Sequence, residues 1–311
     1  MDYTTLKNTL AQNSISFEEN YPLYRLTSFK VGGKADFIIF PSNEKEIFKI
    51  FKIILEQKIP FFILGGGTNL LISDDGFKGV VIHAKFPEKY KILEENKDFV
   101  ILKVFSCSAN QYISNQCMQK GLKGLEFLAT IPGAIGGAIV QNAGCYGSEI
   151  SDFLLSCDVA MPDGTVEIFE KSKLSFQYRD SFFKTNKFFI ISACFKLFRD
   201  DPETIKSKIE LYKLKRNQSQ PENKKSAGSV FKNILTDGEI IPAWKLIDQS
   251  GLRGFSINDA IISSKHCNFI VNAGRATAQD IFKLMQKVQQ EVLEKTGHHL
   301  TPEIELVGKF K

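Results

Sequence analysis

The sequence predicts an α+β fold rather than a regular alternation of strands and helices. Amphipathic helices stand between apolar, strand-like runs, but in several places one strand-like run follows another directly. The stretch "MPDGTVEIF" (161–169) joins two such runs through a Pro-Asp-Gly turn, which is typical of a hairpin. The chain has 311 residues, enough for two or three domains with cores of their own.

Three helices are predicted by their periodicity and by the residues at their ends. The first begins after Ser42 or Asn43 as N-cap, and the second begins after Asp201. The third carries a capping box formed by Thr277 and Asp280. A weaker helix covers residues 109–120, and the polar stretch 216–225 is predicted to be an exposed loop. The strand-like runs are residues 35–40, 61–65, 79–84, 99–105, 188–198 and 267–274.

Composition excludes several classes of protein. The net charge of +5 is too balanced, and the basic residues too scattered, for a nucleic-acid binder. The longest apolar stretch, 129–140, is too short to span a bilayer, and the N-terminus has no apolar signal core, so we expect a cytoplasmic protein without membrane attachment. The six cysteines and four histidines form no ligand pattern, so we expect no metal.

Two glycine-rich stretches lie about 70 residues apart. The first, "FFILGGGTNLLISDDGF" (61–77), runs from a buried strand into Gly65, Gly66 and Gly67, then Thr68 and Asn69. A backbone this bare lets a ligand lie against peptide N–H groups, and successive N–H groups form an anion-binding nest. Thr68 and Asn69 add hydroxyl and amide groups. The sequence matches neither of the usual nucleotide fingerprints, so a tight turn remains an equal alternative.

The second stretch, "EFLATIPGAIGGAIVQNAGCYGSEI" (126–150), makes one extended ligand, such as a dinucleotide, the better explanation of both. The residues singled out in this stretch as candidates to bind it are Pro132, Gly133, Gly136, Gly137, Asn142 and Gly144.

Together these stretches resemble the FAD-binding region of the vanillyl-alcohol-oxidase type flavoproteins. Three further motifs resemble, in order, the UDP-N-acetylenolpyruvoylglucosamine reductase (MurB) family: "YRDSFFK" (178–184), "SAGSVFKN" (226–233) and "LTPEIELVG" (300–308). The stretches "TSFKVGGKADF" (27–37) and "AWKLIDQSGLRGF" (243–255) agree as well, so the resemblance covers nearly the whole chain. It implies that the first glycine-rich stretch wraps the pyrophosphate of noncovalently bound FAD.

The resemblance implies an NADPH-dependent reduction of an enolpyruvyl ether on UDP-N-acetylglucosamine, giving UDP-N-acetylmuramate for peptidoglycan synthesis. It assigns the catalytic roles to Arg179, Ser229 and Glu303. Arg179 would stabilise the developing enolate through its planar guanidinium. Ser229 would donate the proton, and Glu303 would share enolate stabilisation, with a pKa raised by burial. Without the resemblance, these could be a surface arginine, a turn serine and a solvent-facing glutamate.

Tyr178, Lys232 and Asn233 match the motifs that the family uses to bind its UDP-sugar substrate. Lysine suits a diphosphate, and asparagine suits uracil or sugar. Two departures fall near these residues: Ile234 stands where the family has proline, and Asn258-Asp259 stands where the family has Gly-Gly.

The expected architecture has two parts of a FAD-binding region and an α+β substrate-binding domain. Residues 1–75 form the first FAD-binding subdomain, to which residues 298–311 return. Residues 76–200 form the second, and residues 201–297 bind substrate. We expect a monomer. The alternatives are a FAD-dependent sugar or alcohol oxidase of the same fold and a non-catalytic nucleotide-binding module.

Overall fold

The computed structural model describes residues 3–161, 163–186, 188–222, 224–236 and 238–311. Within these residues the helices are α1 Thr4–Gln12, α2 Glu44–Glu56, α3 Asn110–Gln119, α4 Ile135–Val140, α5 Ile150–Phe153, α6 Phe182–Thr185, α7 Pro202–Ser219, α8 Ala243–Gln249 and α9 Ala278–Thr296. The strands begin with β1 Ser16–Pro22, β2 Lys34–Phe40, β3 Phe61–Ile63, β4 Leu70–Ile72, β5 Phe77–Ile82, β6 Tyr90–Glu95 and β7 Phe99–Phe105. They continue with β8 Leu122–Lys123, β9 Gly144–Cys145, β10 Ser148–Glu149, β11 Leu154–Ala160, β12 Val166–Glu170, β13 Phe189–Arg199, β14 Ile234–Thr236, β15 Glu239–Ile241, β16 Ser256–Ile257, β17 Ala260–Ile262, β18 Ile270–Asn272 and β19 Glu305–Val307.

The chain divides into two compact units. Unit 1 comprises residues 1–19, 37–66 and 79–215, and unit 2 comprises residues 20–36, 67–78 and 216–311. The boundary therefore falls inside the glycine triple, between Gly66 and Gly67. The predicted segment 1–75 contributes to both units, and the three-domain assignment stays a prediction.

Among its described residues, unit 1 has two large hydrophobic cores. One lies on a six-stranded sheet of order β12-β11-β13-β7-β6, with β8 paired to β13, and its helices include α3 and α4. The other joins α1 and α2 to β3, β5 and the ends of β11 and β13. Phe195 and Val104 are fully buried in the first core, and Ile47 and Ile50 in the second. The glycine-rich stretch 126–150 belongs to the first core.

Unit 2 is built around α9, whose apolar stripe of Ile281, Leu284, Met285, Val288 and Val292 is buried against α8 and the β16-β17-β18 sheet. The C-terminal strand β19 pairs in parallel with β4, directly after the first glycine-rich loop. This pairing brings the "LTPEIELVG" motif back to the segment that follows Thr68 and Asn69.

Most predicted elements are present, and their end signals work as expected. The Asn43 side chain accepts from the Glu46 N–H to cap α2, and Asp201 accepts from the Thr204 N–H at the start of α7. Thr277 and Asp280 form the capping box of α9. The hairpin 161–169 is present as β11 and β12, although Pro162 lies outside the described residues.

Two predicted elements differ from the structure. The loop predicted at 216–225 begins later than expected, because helix α7 continues to Ser219. The strand predicted over 267–274 is only three residues long, Ile270–Asn272. Asn268 and Phe269 instead bond irregularly to the "SAGSVFKN" motif.

The departure at Asn258-Asp259 has a structural explanation. These two residues form the loop of the β16–β17 hairpin, since Ile257 pairs with Ala260. Asn258 adopts a left-handed backbone (φ 50°), which asparagine tolerates better than most residues, and its Nδ2 donates to Asp280. Asp259 accepts from the Arg275 N–H. The pair thus replaces the flexibility of glycine with local hydrogen bonds.

Candidate active site

The first two glycines of the triple have different neighbours in unit 1. A Cβ added to Gly66 would lie 2.5 Å from Gly133 Cα, whereas one added to Gly65 would lie 3.9 Å from its nearest neighbours, Ala134 Cβ and Gly137 N. Gly66 therefore lets two glycine-rich loops pack directly together. Packing does not require glycine at Gly65, so its bareness leaves space beside the loop.

The third glycine lies in unit 2, where it is needed for a different reason. Gly67 has a positive φ of 64°, and an added Cβ would lie 1.8 Å from Leu26 O. Its own carbonyl accepts from the Ser28 N–H. Leu26 and the beginning of the motif "TSFKVGGKADF" thus contact Gly67, which fixes the exit of the loop before Thr68 and Asn69.

The second glycine-rich stretch also contains both packed and open positions. A Cβ on Gly144 would meet Glu149 Cβ at 2.6 Å, and one on Gly136 would meet Ser106 Cβ at 3.0 Å. An added Cβ on Gly137, which is exposed, would meet nothing within 4 Å. Pro132 is also exposed, whereas Gly133 accepts from the Asn110 N–H. Packing within the protein therefore does not explain why Gly65 and Gly137 lack side chains. A cofactor that lies against the backbone there would explain it.

Asn142 is fully buried, and protein groups engage its side-chain amide. Its Nδ2 donates to Glu149 Oε1 at 2.9 Å and to Gln177 O at 3.1 Å, and its Oδ1 accepts from the Ser151 N–H. The side chain therefore links the glycine-rich stretch to the turn that carries "YRDS". The cofactor-binding role expected for Asn142 stays a prediction, and the structure adds a positioning role within the protein.

Arg179 occupies a turn with an unfavourable backbone conformation. The Gln177 and Asp180 backbones exchange two hydrogen bonds of 3.1 Å, and Arg179 between them has a φ of 54°. A side-chain-bearing residue in this region costs energy and persists only where its surroundings hold it. Here Lys184 Nζ donates to Arg179 O at 2.8 Å, and Arg179 Nη2 donates to Gly144 O at 2.6 Å.

The guanidinium of Arg179 has a defined setting in unit 1. Its central carbon lies 5.2 Å from the centroid of the Tyr178 ring, and both side chains are half-buried. Gly144, whose carbonyl it contacts, belongs to a short hairpin in which Tyr146 stacks on Tyr212 of α7 at 4.5 Å. Two predicted site residues, Tyr178 and Arg179, are thus brought together with a third, Gly144.

Unit 2 brings Ser229, Glu303 and Asn69 together through backbone hydrogen bonds. The Glu303 N–H donates to Val230 O at 2.7 Å, and the Lys232 N–H donates to Thr301 O at 2.9 Å. Between these two bonds, Phe231 forms an antiparallel β-bridge with Pro302. Asn69 Nδ2 donates to Glu303 O at 3.2 Å. The Asn69 carbonyl in turn accepts from the Glu305 N–H at 3.0 Å. Three motifs that lie far apart in the sequence therefore meet along one short ladder.

The remaining residues of the "SAGSVFKN" motif divide between folding and recognition. Ser229 is half-buried and pairs with Phe269 through its backbone only, which leaves its hydroxyl group out of the bridge. Asn233 Oδ1 accepts from the Ala243 N–H at the start of α8, which orients the side-chain amide. Lys232 is half-buried beside it.

One residue beside this ladder was not singled out from the sequence. Asn268, which is 4% exposed, bonds to both Val230 and Phe231. The only sequence feature that pointed to it is a polar residue inside the apolar run "CNFIV".

The surroundings of two histidines lower their pKa. Burial, assisted by nearby Lys85, lowers the pKa of His83, whose Nδ1 donates to Leu64 O just before Gly65. Burial and nearby Arg253 lower the pKa of His266, whose Nδ1 accepts from the Asn268 N–H. No group of three or more potential metal ligands occurs in the described ranges, and no helix there combines the length and apolarity needed to cross a bilayer.

Comparison with known proteins covers nearly the whole chain. A family model for the C-terminal domain of UDP-N-acetylenolpyruvoylglucosamine reductase matches residues 220–307, and a model for a FAD binding domain matches residues 35–170. The UDP-N-acetylenolpyruvoylglucosamine reductase of Caldanaerobacter subterraneus subsp. tengcongensis is 38% identical over 98% of this chain and 97% of its own length. That of Leptospira interrogans is 41% identical over 97% of this chain and 95% of its own.

A solved structure agrees with these sequence matches. UDP-N-acetylenolpyruvylglucosamine reductase from Thermus caldophilus superposes with a TM-score of 0.78 at 30% identity, covering 94% of this chain and 99% of that one. The predicted α+β fold with a FAD-binding region is thereby confirmed. Two domain models match the chain, and its relatives are 38% and 41% identical over nearly their full length. The chain therefore belongs to the UDP-N-acetylenolpyruvoylglucosamine reductase family.

Proposed function

We propose that the protein reduces the enolpyruvyl ether of UDP-N-acetylglucosamine to the lactyl ether, giving UDP-N-acetylmuramate for peptidoglycan synthesis. The observation that carries this proposal is the match of both family domains and of relatives over nearly the whole chain. The electrons come from NADPH, and FAD is the cofactor. The substrate is a UDP-sugar; the protein acts as a monomer in the cytoplasm, without a nucleic-acid partner.

The two glycine-rich loops hold the FAD in this proposal. FAD held by these loops would supply hydride-transfer chemistry between NADPH and the vinyl carbon beta to the substrate carboxylate. The protein must bind, orient and exclude water around it. Gly65 and Gly137 leave the backbone accessible, and Gly66 and Gly133 lock the two loops together. The residues assigned to cofactor binding are Gly65, Gly66, Gly67, Thr68, Asn69, Pro132, Gly133, Gly136, Gly137, Asn142 and Gly144.

Arg179 stabilises the negative charge that develops on the substrate carboxylate. A guanidinium is permanently charged and offers a planar fork that fits a carboxylate. Its turn is held by Lys184 and by Asn142 through Gln177 O. Fixed positive charge that needs no rearrangement at the moment of reaction is the usual source of large electrostatic effects in catalysis.

Ser229 and Glu303 complete the reaction on the substrate. Hydride addition to the beta carbon breaks the carbon–carbon π bond and leaves its electron pair at the alpha carbon, delocalised as the enolate of the carboxylate. The Ser229 hydroxyl donates its proton to that carbon, and the resulting alkoxide regains a proton from water. Glu303, which the ladder holds beside the Ser229 segment, stabilises the same enolate. Tyr178, Lys232 and Asn233 bind the UDP-sugar.

Anaerobic absorbance measurements test this function directly. The purified protein is expected to contain FAD, NADPH should bleach it, and the enolpyruvyl substrate should restore the oxidised spectrum. Bleaching by a free sugar or alcohol with reoxidation by oxygen would instead indicate an oxidase. A protein that takes up no flavin would contradict the assignment altogether.

A further inference from the structure

The chain segment around Ser229 is held from both sides within unit 2. On one side, Val230 O and Phe231 bond to the Thr301–Glu303 segment. On the other side, Ser229 bridges Phe269, and the Val230 N–H donates to Asn268 O at 2.8 Å. The segment therefore lies between two other segments and bonds to both. Ser229 is at one end of it, and Glu303 is on one of the flanking segments.

The side chain of Asn268, which lies in the turn ahead of β18, adds two hydrogen bonds to this ladder. Its Oδ1 accepts from the Phe231 N–H at 2.9 Å, and its Nδ2 donates to Phe231 O at 2.8 Å. The amide thus replaces a peptide group and satisfies both polar atoms of Phe231, a residue that is 1% exposed. Together with its carbonyl, Asn268 supplies three hydrogen bonds to two consecutive residues.

We infer that Asn268 is a positioning residue for proton transfer from Ser229, an inference that rests on the proposed function. Asn268 touches no reacting atom. It acts through the Val230–Phe231 backbone, which fixes where the Ser229 hydroxyl lies relative to Glu303. Buried polar atoms left without a partner force the chain to shift towards other partners or water, so losing this amide displaces the ladder.

The same segment contains a matched control. Asn272 is 5% exposed, and its side chain also makes three hydrogen bonds, to Phe29 O and to the Gly274 and Ala276 N–H groups. None of these bonds reaches residues 229–231. A substitution at Asn272 removes equivalent buried bonds without touching the Ser229 segment.

The test compares the two half-reactions in Asn268→Ala, Asn268→Asp and Asn272→Ala, alongside FAD content and thermal unfolding. Asn268→Ala should be reduced by NADPH at close to the wild-type rate, whereas reoxidation by the enolpyruvyl substrate should slow by about 10²-fold, the scale of a 1 Å misplacement. Asn268→Asp keeps the acceptor but loses the Nδ2 donor. Its reoxidation defect should shrink at low pH, where a protonated carboxyl can donate again. Asn272→Ala should lower the unfolding temperature and slow neither half-reaction selectively.

A double variant decides whether Asn268 acts through Ser229. In the Ser229→Ala background, adding Asn268→Ala should slow reoxidation by less than about 3-fold, because the group it positions is already gone. Equal slowing of both half-reactions, a full additional 10²-fold loss in that background, or loss of FAD from both Asn268 variants would each overturn the inference. If wild-type protein is not reoxidised by the enolpyruvyl substrate, the proposed function fails instead.

Discussion

The two regions that carry the proposed catalytic groups hold them in opposite ways. In unit 1, Arg179 has a left-handed backbone (φ 54°) and is held there by bonds to its turn from Lys184 and Asn142. In unit 2, neither Ser229 nor Glu303 has a positive φ, and both lie on a ladder of backbone bonds. The comparison teaches that the arginine is placed at a cost in stability, whereas the proton donor is placed by ordinary strand pairing.

The largest effect is expected where charge is removed from unit 1. Arg179→Ala should slow flavin reoxidation by the enolpyruvyl substrate by about 10²–10³-fold, the typical loss for one oxyanion-stabilising group. Arg179→Lys keeps the charge but loses the planar fork, so it should remain impaired. Stopped-flow absorbance measures both. Full activity of Arg179→Lys would show that only charge matters.

Arg179 and Glu303 also test whether the two regions serve one transition state. If both stabilise the same enolate, Arg179→Ala combined with Glu303→Ala should lose less activity than the product of the two single losses. Glu303→Gln, which keeps size and a donor, serves as the mild control. Strictly multiplicative losses would mean that the two residues act independently.

The glycine-rich loops should separate cofactor binding from folding. Gly65→Ala fits the available space, so the FAD-free protein should unfold at the wild-type temperature while FAD binds at least about tenfold more weakly, since a methyl group fills the cofactor's space. Gly66→Ala would meet Gly133 Cα at 2.5 Å and should destabilise the FAD-free protein. Calorimetry and FAD titration distinguish the two. Unchanged FAD affinity in Gly65→Ala would remove this glycine from the cofactor site.

A smaller effect should reveal the backbone cost at Arg179. Arg179→Gly should be more stable than Arg179→Ala by about 1 kcal/mol, because glycine accepts a positive φ without penalty. At Lys206, an exposed position in α7, the order should reverse, since glycine is less favourable than alanine in a helix by about 1 kcal/mol. Thermal unfolding of the four variants measures this reversal. The same order at both positions would show that the turn is not strained.

The smallest effect concerns pH and contrasts one histidine from each unit. Because burial lowers the folded-state pKa of His83 and His266 below 6.5, the unfolded chain takes up these protons first, and stability should fall as pH decreases below about 6.5. Protonation of His83 keeps its bond to Leu64 O, whereas protonation of His266 removes the acceptor for the Asn268 N–H. Unfolding temperatures measured at several pH values should therefore depend less on pH in His266→Asn than in His83→Asn. An equal reduction of the pH dependence in both variants would contradict this difference between the two histidines.

Local patterns predicted much of the fold because their causes are local. The caps at Asn43 and Asp201 and the box at Thr277 depend on residues three or four positions apart, so the sequence displays them. Helix α4 could not be predicted in this way, since two glycines oppose a helix there and burial of Ile135 and Ile139 overrides them.

The candidate site was predictable as a set of motifs but not as an arrangement. Nothing local distinguishes Gly65 from Gly66, because the difference depends on Gly133 nearly 70 residues away. The positive φ of Arg179 and the amide ladder of Asn268 likewise arise from distant partners. The partners of Asn142, Glu149 and Gln177, likewise become visible only in the fold.

The central claim is that the protein's own residues act on the substrate after hydride transfer, and Ser229→Ala tests it most directly. Stopped-flow absorbance under anaerobic conditions should show flavin reduction by NADPH at the wild-type rate and reoxidation by the enolpyruvyl substrate slowed by at least about 10²-fold, the scale of general acid catalysis. Equal slowing of the two half-reactions, or no slowing of reoxidation, would contradict the account.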